Sequence, residues 1–409
     1  MKKHIAALIF IFLFTSFAWV ILGMKTLVRT EEKDNSLKNA VDQLWGSEQQ
    51  QKAPELYYLE KEKHTTTKTV GTDTSFETDF VSVQKRTTIT GSDITAKFQL
   101  EHRKKGLLWY STYRVKFAAD YHIENSTDTD RDYYFAYTFP NNSSIYDNFK
   151  LMVDGEEVKE IKPINGKVVE KIYLNTGEKK TVQISYGAQG LDEWWYVFSE
   201  YVSQIRDFDL TIFTNFDEID FPENSISPTT KTKEADGWKL QWQYDNLISG
   251  IQIGLKMPHK LNPGPFASRV SFFAPVSLFL FMFLLFIITT IKEINIHPMN
   301  YFFIAAAFFS FHLLLAYLAD QVDLYIAFAI AAIVSIFLVV SYMRLVVGTR
   351  LTLFEVGLSQ LVYLVLFAYA FFLEGITGLS ITILCIVTLF VVMQITGRIN
   401  WDEKFAKMK

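Results

Sequence analysis

The side chains best suited to proton chemistry stand where charge is least expected, inside long apolar runs. His312 interrupts FFSFHLLLAYLAD at 308–320, and the run closes on Asp320. An imidazole titrates near neutral pH, so a histidine and a carboxylate on roughly one helix face suit a proton relay, and equally a ligand pocket or a plain packing hydrogen bond. Two helical turns hold them about 12 Å apart. Tyr317 lies nearby, but no residue supplies the bridging group a relay needs. Glu355, a little over one turn inside another apolar run and near Arg350, and Gln360 complete the intramembrane polar candidates. Ionisable groups within spans are costly in lipid, and each is a functional hypothesis by default. The plainer alternatives are an interfacial or neighbour pairing for Glu355 and interhelical hydrogen bonds from Ser335, Gln360 and Gln394. Such bonds are worth about 0.6 kcal/mol apiece.

The polar middle of the chain offers less. It has no GxSxG, HExxH or Walker loop and no paired Cys/His spacing, so no catalytic residue, metal site or cofactor is expected. Asp217, Glu218, Asp220 and Glu223 in NFDEIDFPEN have hard-cation oxygens, but their spacing fits no calcium loop; they read as solvated loop acids. In DEWWYVFSEYV, the rings of Trp194, Trp195, Tyr196, Phe198 and Tyr201 suit a core strand, a partner surface or a membrane-interface contact. Trp194, Trp195 and Tyr196 are the candidate interface residues. The Asn125-Ser126-Thr127 and Asn141–Ser144 sequons matter only in a eukaryotic secretory pathway, which nothing here requires.

The elements that must position these groups follow from an uneven composition. Of 409 residues 49% are hydrophobic, but the apolar ones concentrate in the first twenty-odd residues and after about 270. About 20 apolar residues cross a hydrocarbon core, and helices satisfy their own backbone there. Six runs qualify, near Ile5–Met24, Val270–Ile291, Met299–Ala319, Leu324–Met343, Leu351–Leu373 and Ile376–Thr396. The first has basic Lys2 and Lys3 but lacks a small-x-small cleavage site, and reads as an uncleaved signal anchor. Lys292, Arg344, Arg350, Arg398, Lys404, Lys407 and Lys409 fall on the side of the N-terminus, while the opposite short loops carry Asp320, Asp323 and Glu374. Positive residues stay inside; both termini are therefore expected in the cytoplasm and residues 25–268 outside. Lys25, Arg29 and Lys33 flank the first span on the wrong side, in a long exported loop where that rule is weak.

In the exported part, SLKNAVDQLWG predicts a juxtamembrane helix that stops at Gly46. From about Tyr57 the period becomes two. Tyr113, Val115, Phe117, Ala119, Tyr121 and Ile123 alternate with Arg114, Lys116 and Asp120, and WKLQWQY and FDLTIFTNF repeat the pattern. Alternation marks strands with one buried face. With turns at Asp154-Gly155 and Asn175–Gly177, it predicts an extracytoplasmic antiparallel β-rich, sandwich-like domain. The expected organisation is an anchor at 1–24, a juxtamembrane helix and linker at 25–54, the β domain at 55–268, a five-helix transmembrane bundle at 269–397 and a basic tail at 398–409. The single cysteine, Cys385, lies in the last span, so the β domain relies on its core rather than on disulfides. A net charge of −4 with no basic stripe gives no reason to expect nucleic acid.

HPMNYFF (297–303), FHLLLAYLAD (311–320), LYIAFAIAA (324–332) and the closing MQITGRINW (393–401) resemble the membrane half of the CreD family of bacterial inner-membrane proteins. AVDQLWGSEQ, RKKGLLWYSTYRVKFAADY and GWKLQWQY are similar to segments of its exported half, whereas 124–236 hardly matches and is shorter. The resemblance implies an anchor, a periplasmic β-rich domain and an inner-membrane bundle, associated with cell-envelope integrity. It supplies no molecular activity. In the family run the place of His312 is usually a tyrosine and that of Asp320 a glutamate. Tyrosine shares a hydrogen-bonding tip with histidine but not a pKa near neutrality, so an interhelical hydrogen bond becomes the default expectation for His312. The reading that results is a non-enzymatic inner-membrane protein supporting envelope integrity, its β domain engaging an envelope component. Membrane lipid and an envelope protein are the partners left open. The alternatives are a carrier or lipid-handling protein using His312, Asp320, Glu355 and Gln360, or an envelope sensor with a ligand-binding β domain.

Overall fold

The computed structural model describes residues 2–70, 73–106, 108–141, 144–198, 203–397 and 399. Arg398, Lys404, Lys407 and Lys409 of the basic tail, Tyr201 and the middle of the second sequon lie outside them. The chain divides into two compact units: residues up to Ser36 with Gly106–Leu108 and everything from Leu261, and the remainder, Leu37–Lys105 with Trp109–Lys260.

Among the described residues six helices are long and apolar enough to cross a membrane, as the sequence predicts. The first differs in length. Anchor and juxtamembrane helix are one unbroken helix, Lys2–Trp45. No proline or glycine interrupts TLVRTEEKDNSLKN, and the hydroxyls of Thr26 and Thr30 bond to carbonyls four residues back, each at 2.8 Å. Gly46 ends it, at φ +114° with its N–H returning to Asp42 O at 3.0 Å. The later spans are Pro263–Ile291, Pro298–Leu318, Leu324–Val347, Thr352–Phe372 and Thr377–Thr396. Gly264 lets the second lie close on the first: a Cβ there would collide with the Thr30 side chain. Ser268 Oγ donates to Gly23 O at 2.9 Å along the same seam. The fifth span is not a plain α-helix. Thr352–Val356 and Leu361–Leu366 wind as π-helix, each wide turn shifting the face that the following residues present. Large apolar side chains remain on the outside of the spans, among them Phe10, Phe14, Phe337 and Phe390, as a lipid-facing surface requires.

The other unit is built from strands. The first eight in chain order are β1 Gln49–Lys52, β2 Glu55–Val70, β3 Asp73–Thr87, β4 Gly91–Lys105, β5 Leu108–Glu124, β6 Arg131–Thr138, β7 Tyr146–Val153 and β8 Glu156–Glu157. There follow β9 Lys167–Leu174, β10 Lys179–Leu191, β11 Glu193–Val197, β12 Ser203–Phe213, β13 Thr230–Glu234, β14 Gly237–Ser249 and β15 Ile253–Lys256. They form an eight-stranded sheet ordered β13-β14-β12-β4-β5-β10-β7-β8, a four-stranded sheet β3-β2-β6-β9 and a three-stranded sheet β1-β11-β15. The expected turns are in place, Asp154 and Gly155 at φ 49° and 84°, and Gly177 at φ 76°. The sheets are not wholly antiparallel as predicted. β12 pairs with β4, and β1 with β11, in parallel. Each parallel pair joins strands far apart in sequence, which a long excursion permits and a hairpin does not.

The odd positions of β5 face inward: Tyr113, Val115, Phe117, Ala119, Tyr121 and Ile123 are all buried. Rings join this sheet to the smaller ones, Tyr121 to Phe135 at 5.9 Å, Phe98 to Trp194 at 5.4 Å and Tyr196 to Phe208 at 5.5 Å. The small sheets thus share one core with the inner face of the large one. Fully burying such side chains contributes roughly 1.5–3 kcal/mol each.

One polar group ties all three sheets together. Gln51 on β1 is fully buried. Its Oε1 accepts from Tyr137 Oη of the four-stranded sheet at 2.6 Å and from Tyr186 Oη of the eight-stranded sheet at 2.7 Å, and its Nε2 donates to Lys52 O at 2.6 Å. Burial holds both phenols far above their ordinary pKa, so they remain donors. Asn125 shows similar logic at a turn: its Nδ2 donates to Thr129 O and Leu174 O at 2.9 and 3.1 Å. That first sequon therefore builds a corner, with its amide turned away from solvent.

Two outcomes test this core. Gln51→Leu orphans two buried hydroxyls and should cost about 2–5 kcal/mol in urea unfolding followed by fluorescence, against about 1 kcal/mol for Tyr137→Phe; equal small losses would refute the node. His102, whose Nε2 lies 2.9 Å from Pro258 O, has its pKa lowered by burial. The unfolded imidazole then takes up a proton that the folded one refuses, so its contribution is full above about pH 6.5 and shrinks as pH falls through that value. His102→Gln should reduce the fall in melting temperature between about pH 7.5 and 5.5; an unchanged fall would contradict this assignment.

Candidate functional site

In the membrane unit, each polar candidate has its own partner. Arg29 Nη2 forms an ion pair with Asp320 Oδ2 at 2.7 Å, donates to Ala316 O at 3.0 Å and lies 5.3 Å from the Tyr317 ring centre. The basic residue on the unexpected side of the first span is thus matched by the acid that closes the third. Glu355 Oε1 pairs with Lys292 Nζ, which follows the second span, rather than with Arg350. Gln360 Nε2 donates to Ser335 Oγ at 3.1 Å, and that hydroxyl donates to Ala307 O at 2.7 Å, so one polar chain links the fifth, fourth and third spans. Tyr363 and Thr388 share a hydrogen bond at 2.9 Å that holds the sixth span. Gln394, expected to bond to a neighbouring helix, lies exposed.

His312 corrects an expectation. It is 2% exposed, and its Nδ1 sits 3.3 Å from Phe308 O, one turn back on its own helix. The interhelical contact is made by the ring: the edge-on indole of Trp19 lies 5.5 Å away, with Phe311 at 4.9 Å. Side chains on a helix lean toward the preceding turn, which brings Nδ1 to that carbonyl and leaves the flat ring for packing. Asp320 faces Arg29, and no hydrogen bond found in the described residues joins it to His312. Among the described residues of this unit four buried side-chain atoms have no hydrogen-bond partner, Ser16 Oγ, Trp19 Nε1, Glu355 Oε2 and Gln360 Oε1.

In the β unit the aromatic run is also corrected. Trp194 and Tyr196 are buried in the core, because β11 lies between β1 and β15 and turns its even positions inward. Only Trp195 is half-exposed, its Nε1 donating to Glu193 Oε2 at 3.0 Å. Of the loop acids, Asp217 pairs with Lys233, and Asp220 with Lys256 at 3.4 Å. Among the described residues no cluster of three or more His, Cys, Asp or Glu could hold a metal ion.

Sequence reasoning missed how the end of the long helix is fastened within this unit. Lys38 pairs with Asp192 at 2.7 Å, Lys105 Nζ donates to Ala40 O at 3.1 Å, and the Arg103 guanidinium lies 3.4 Å from the Trp45 ring centre. Burial lowers the Lys38 pKa, but the Asp192 hydrogen bond and charge outweigh it and leave the ammonium above its usual value. The same aspartate lies 3.9 Å from His259 Nδ1, and Ser111 Oγ 3.0 Å from that same nitrogen. A hydrolytic triad needs serine and carboxylate on opposite ring nitrogens. Here both are on one, and Ser111 is buried and bonded to Pro258 O at 2.7 Å.

No curated protein matches the chain. Among solved structures, one from Legionella pneumophila described as a nutrient binding protein aligns with 9% identity and a TM-score of 0.33 over 57% of this chain and 75% of that one. That likeness is too slight to carry an argument. The family described as inner membrane protein CreD, which is not known as an enzyme family, matches residues 221–402. That stretch holds the end of the β unit and the five later spans, and over it the chain is similar to that family.

Proposed function

We propose that this is a non-enzymatic inner-membrane protein supporting cell-envelope integrity, with its β unit outside the cytoplasm and in contact with an envelope component. The observation that carries the reading is the partnering of Asp320, Glu355 and Gln360: each is tied to another element of the protein, and His312 to its own helix. A carrier needs polar groups facing a path for its cargo; a scaffold needs them facing one another. Orientation is supported by Lys292 and Arg344 against Asp320, Asp323 and Glu374, and by Asp320 neutralising Arg29 at the exported end of the first span. Membrane lipid and an envelope protein are the partner classes this reading invites.

A carrier or lipid-handling role has one feature in its favour. The π turns of the fifth span and the unpartnered Gln360 Oε1 lie in the same helix, and π turns frequent functional sites. An envelope sensor with a ligand-binding β domain stands between the two. Envelope-stress survival of cells carrying single variants separates them. His312→Phe, which keeps the ring contact with Trp19, should retain full tolerance at normal protein level; loss of tolerance with normal folding and expression would overturn the scaffold reading. Photo-crosslinkers at exposed β-unit positions should capture a reproducible envelope component in intact cells, and repeated failure to do so would count against it.

A further inference from the structure

In the membrane unit a cleft of about 420 Å³ opens between the first span and the last turn of the third. Leu22, Thr26 and Ala316 form its buried floor, and Met24, Val28 and Tyr317, each more than half exposed, form its rims. Arg29 is fixed in its wall by Asp320 and by Ala316 O. The volume lies within the roughly 300–1,000 Å³ of small-molecule sites, which combine apolar walls with a few charged groups. A tyrosine at the rim is in keeping with a lipid boundary, since its ring suits acyl chains and its hydroxyl suits headgroups.

Two further side chains line the cleft, Lys25 and Glu32, both exposed. Neither has a hydrogen-bond or ion-pair partner among the described residues. They stand seven positions apart, about 10 Å along one helix face, whereas ion pairs within a helix form over three or four positions. Asp320 accounts for Arg29 at this end of the first span, but not for Lys25. The order of the two charges is informative. Lys25 directly follows the apolar run, and Glu32 lies two turns farther out. A cation beside the hydrocarbon with an anion beyond it is the complement of a zwitterionic phospholipid, whose phosphate adjoins the glycerol and whose ammonium lies past it.

We propose that this cleft binds one phosphatidylethanolamine molecule from the leaflet at that end of the spans. The phosphate accepts from Lys25 Nζ, the ammonium donates to the Glu32 carboxylate, and an acyl chain lies against Leu22, Met24 and Val28. An ethanolamine ammonium keeps three N–H donors, a choline has none, and a glycerol head offers only neutral hydroxyls. Charge-assisted hydrogen bonding to Glu32 therefore selects the headgroup. The proposal gives a site and a chemistry to the membrane-lipid partner of the proposed function and rests on that reading. Its test uses purified protein, so that failure here and failure of the tests in cells are separate results.

The full chain in a neutral detergent is titrated with phosphatidylethanolamine, phosphatidylcholine and phosphatidylglycerol of one acyl composition, and bound lipid is counted by native mass spectrometry. Phosphatidylethanolamine should bind about fivefold or more tighter than either other lipid. Glu32→Gln should remove that preference, and Glu32→Lys should turn it to phosphatidylglycerol. Lys25→Gln should weaken both of these lipids, each variant being checked for unchanged melting. In phosphatidylcholine nanodiscs carrying a trace of phosphatidylethanolamine with a diazirine in its acyl chain, adducts should concentrate on Met24, Val28 and Tyr317. No retained lipid, equal binding of the three lipids, a preference that survives Glu32→Gln, or adducts spread evenly over the spans would each overturn the proposal.

Discussion

A polar or charged group removed from water must be given a partner, at a cost of several kcal/mol when it is not, and this constraint organises both units. In the membrane unit it brings Arg29 to Asp320, Lys292 to Glu355 and Gln360 to Ser335. Each pairing joins the first, second or fourth span to the third or fifth, so satisfying a polar group also fixes a neighbour. Apolar side chains cannot do this in lipid, where burial against a helix gains little over burial against an acyl chain. In the β unit the same constraint places Gln51 where hydroxyls from two other sheets converge on one carbonyl oxygen.

Much of the architecture was legible because it depends on local periodicity. The six spans follow from length and apolarity, and β5, β12 and β14 from alternation. The turns at Asp154-Gly155 and Gly177 follow from residues that tolerate positive φ. What was not legible depends on partners far away in sequence. QQQK at 49–52 has no apolar pattern at all, yet it forms β1, and its buried positions alternate because Gln49 and Gln51 find acceptors and donors on other sheets. The parallel pairing of β4 with β12 leaves no mark on either strand. The unbroken helix through residue 45 was visible in principle, as the stretch after the first span has no helix breaker, but its polarity obscured the continuity.

The candidate site was legible in residue type and not in role. His312 was conspicuous, and its significance turned on Trp19, nearly three hundred positions earlier. Trp194 and Tyr196 were conspicuous for their rings, and they are spent on the core.

The account holds that the polar chain inside the membrane unit connects helices and does not line a path for water or cargo. Thiol accessibility at Ser335 tests this most directly, since Cys is nearly isosteric with Ser and Ser335 is fully buried between Gln360 and Ala307. With Cys385 replaced by alanine, a cysteine at that position should remain unlabelled by membrane-impermeant thiol reagents applied from either side of a reconstituted bilayer. Labelling from either side in folded protein would contradict the account and return the bundle interior to the role of a pathway.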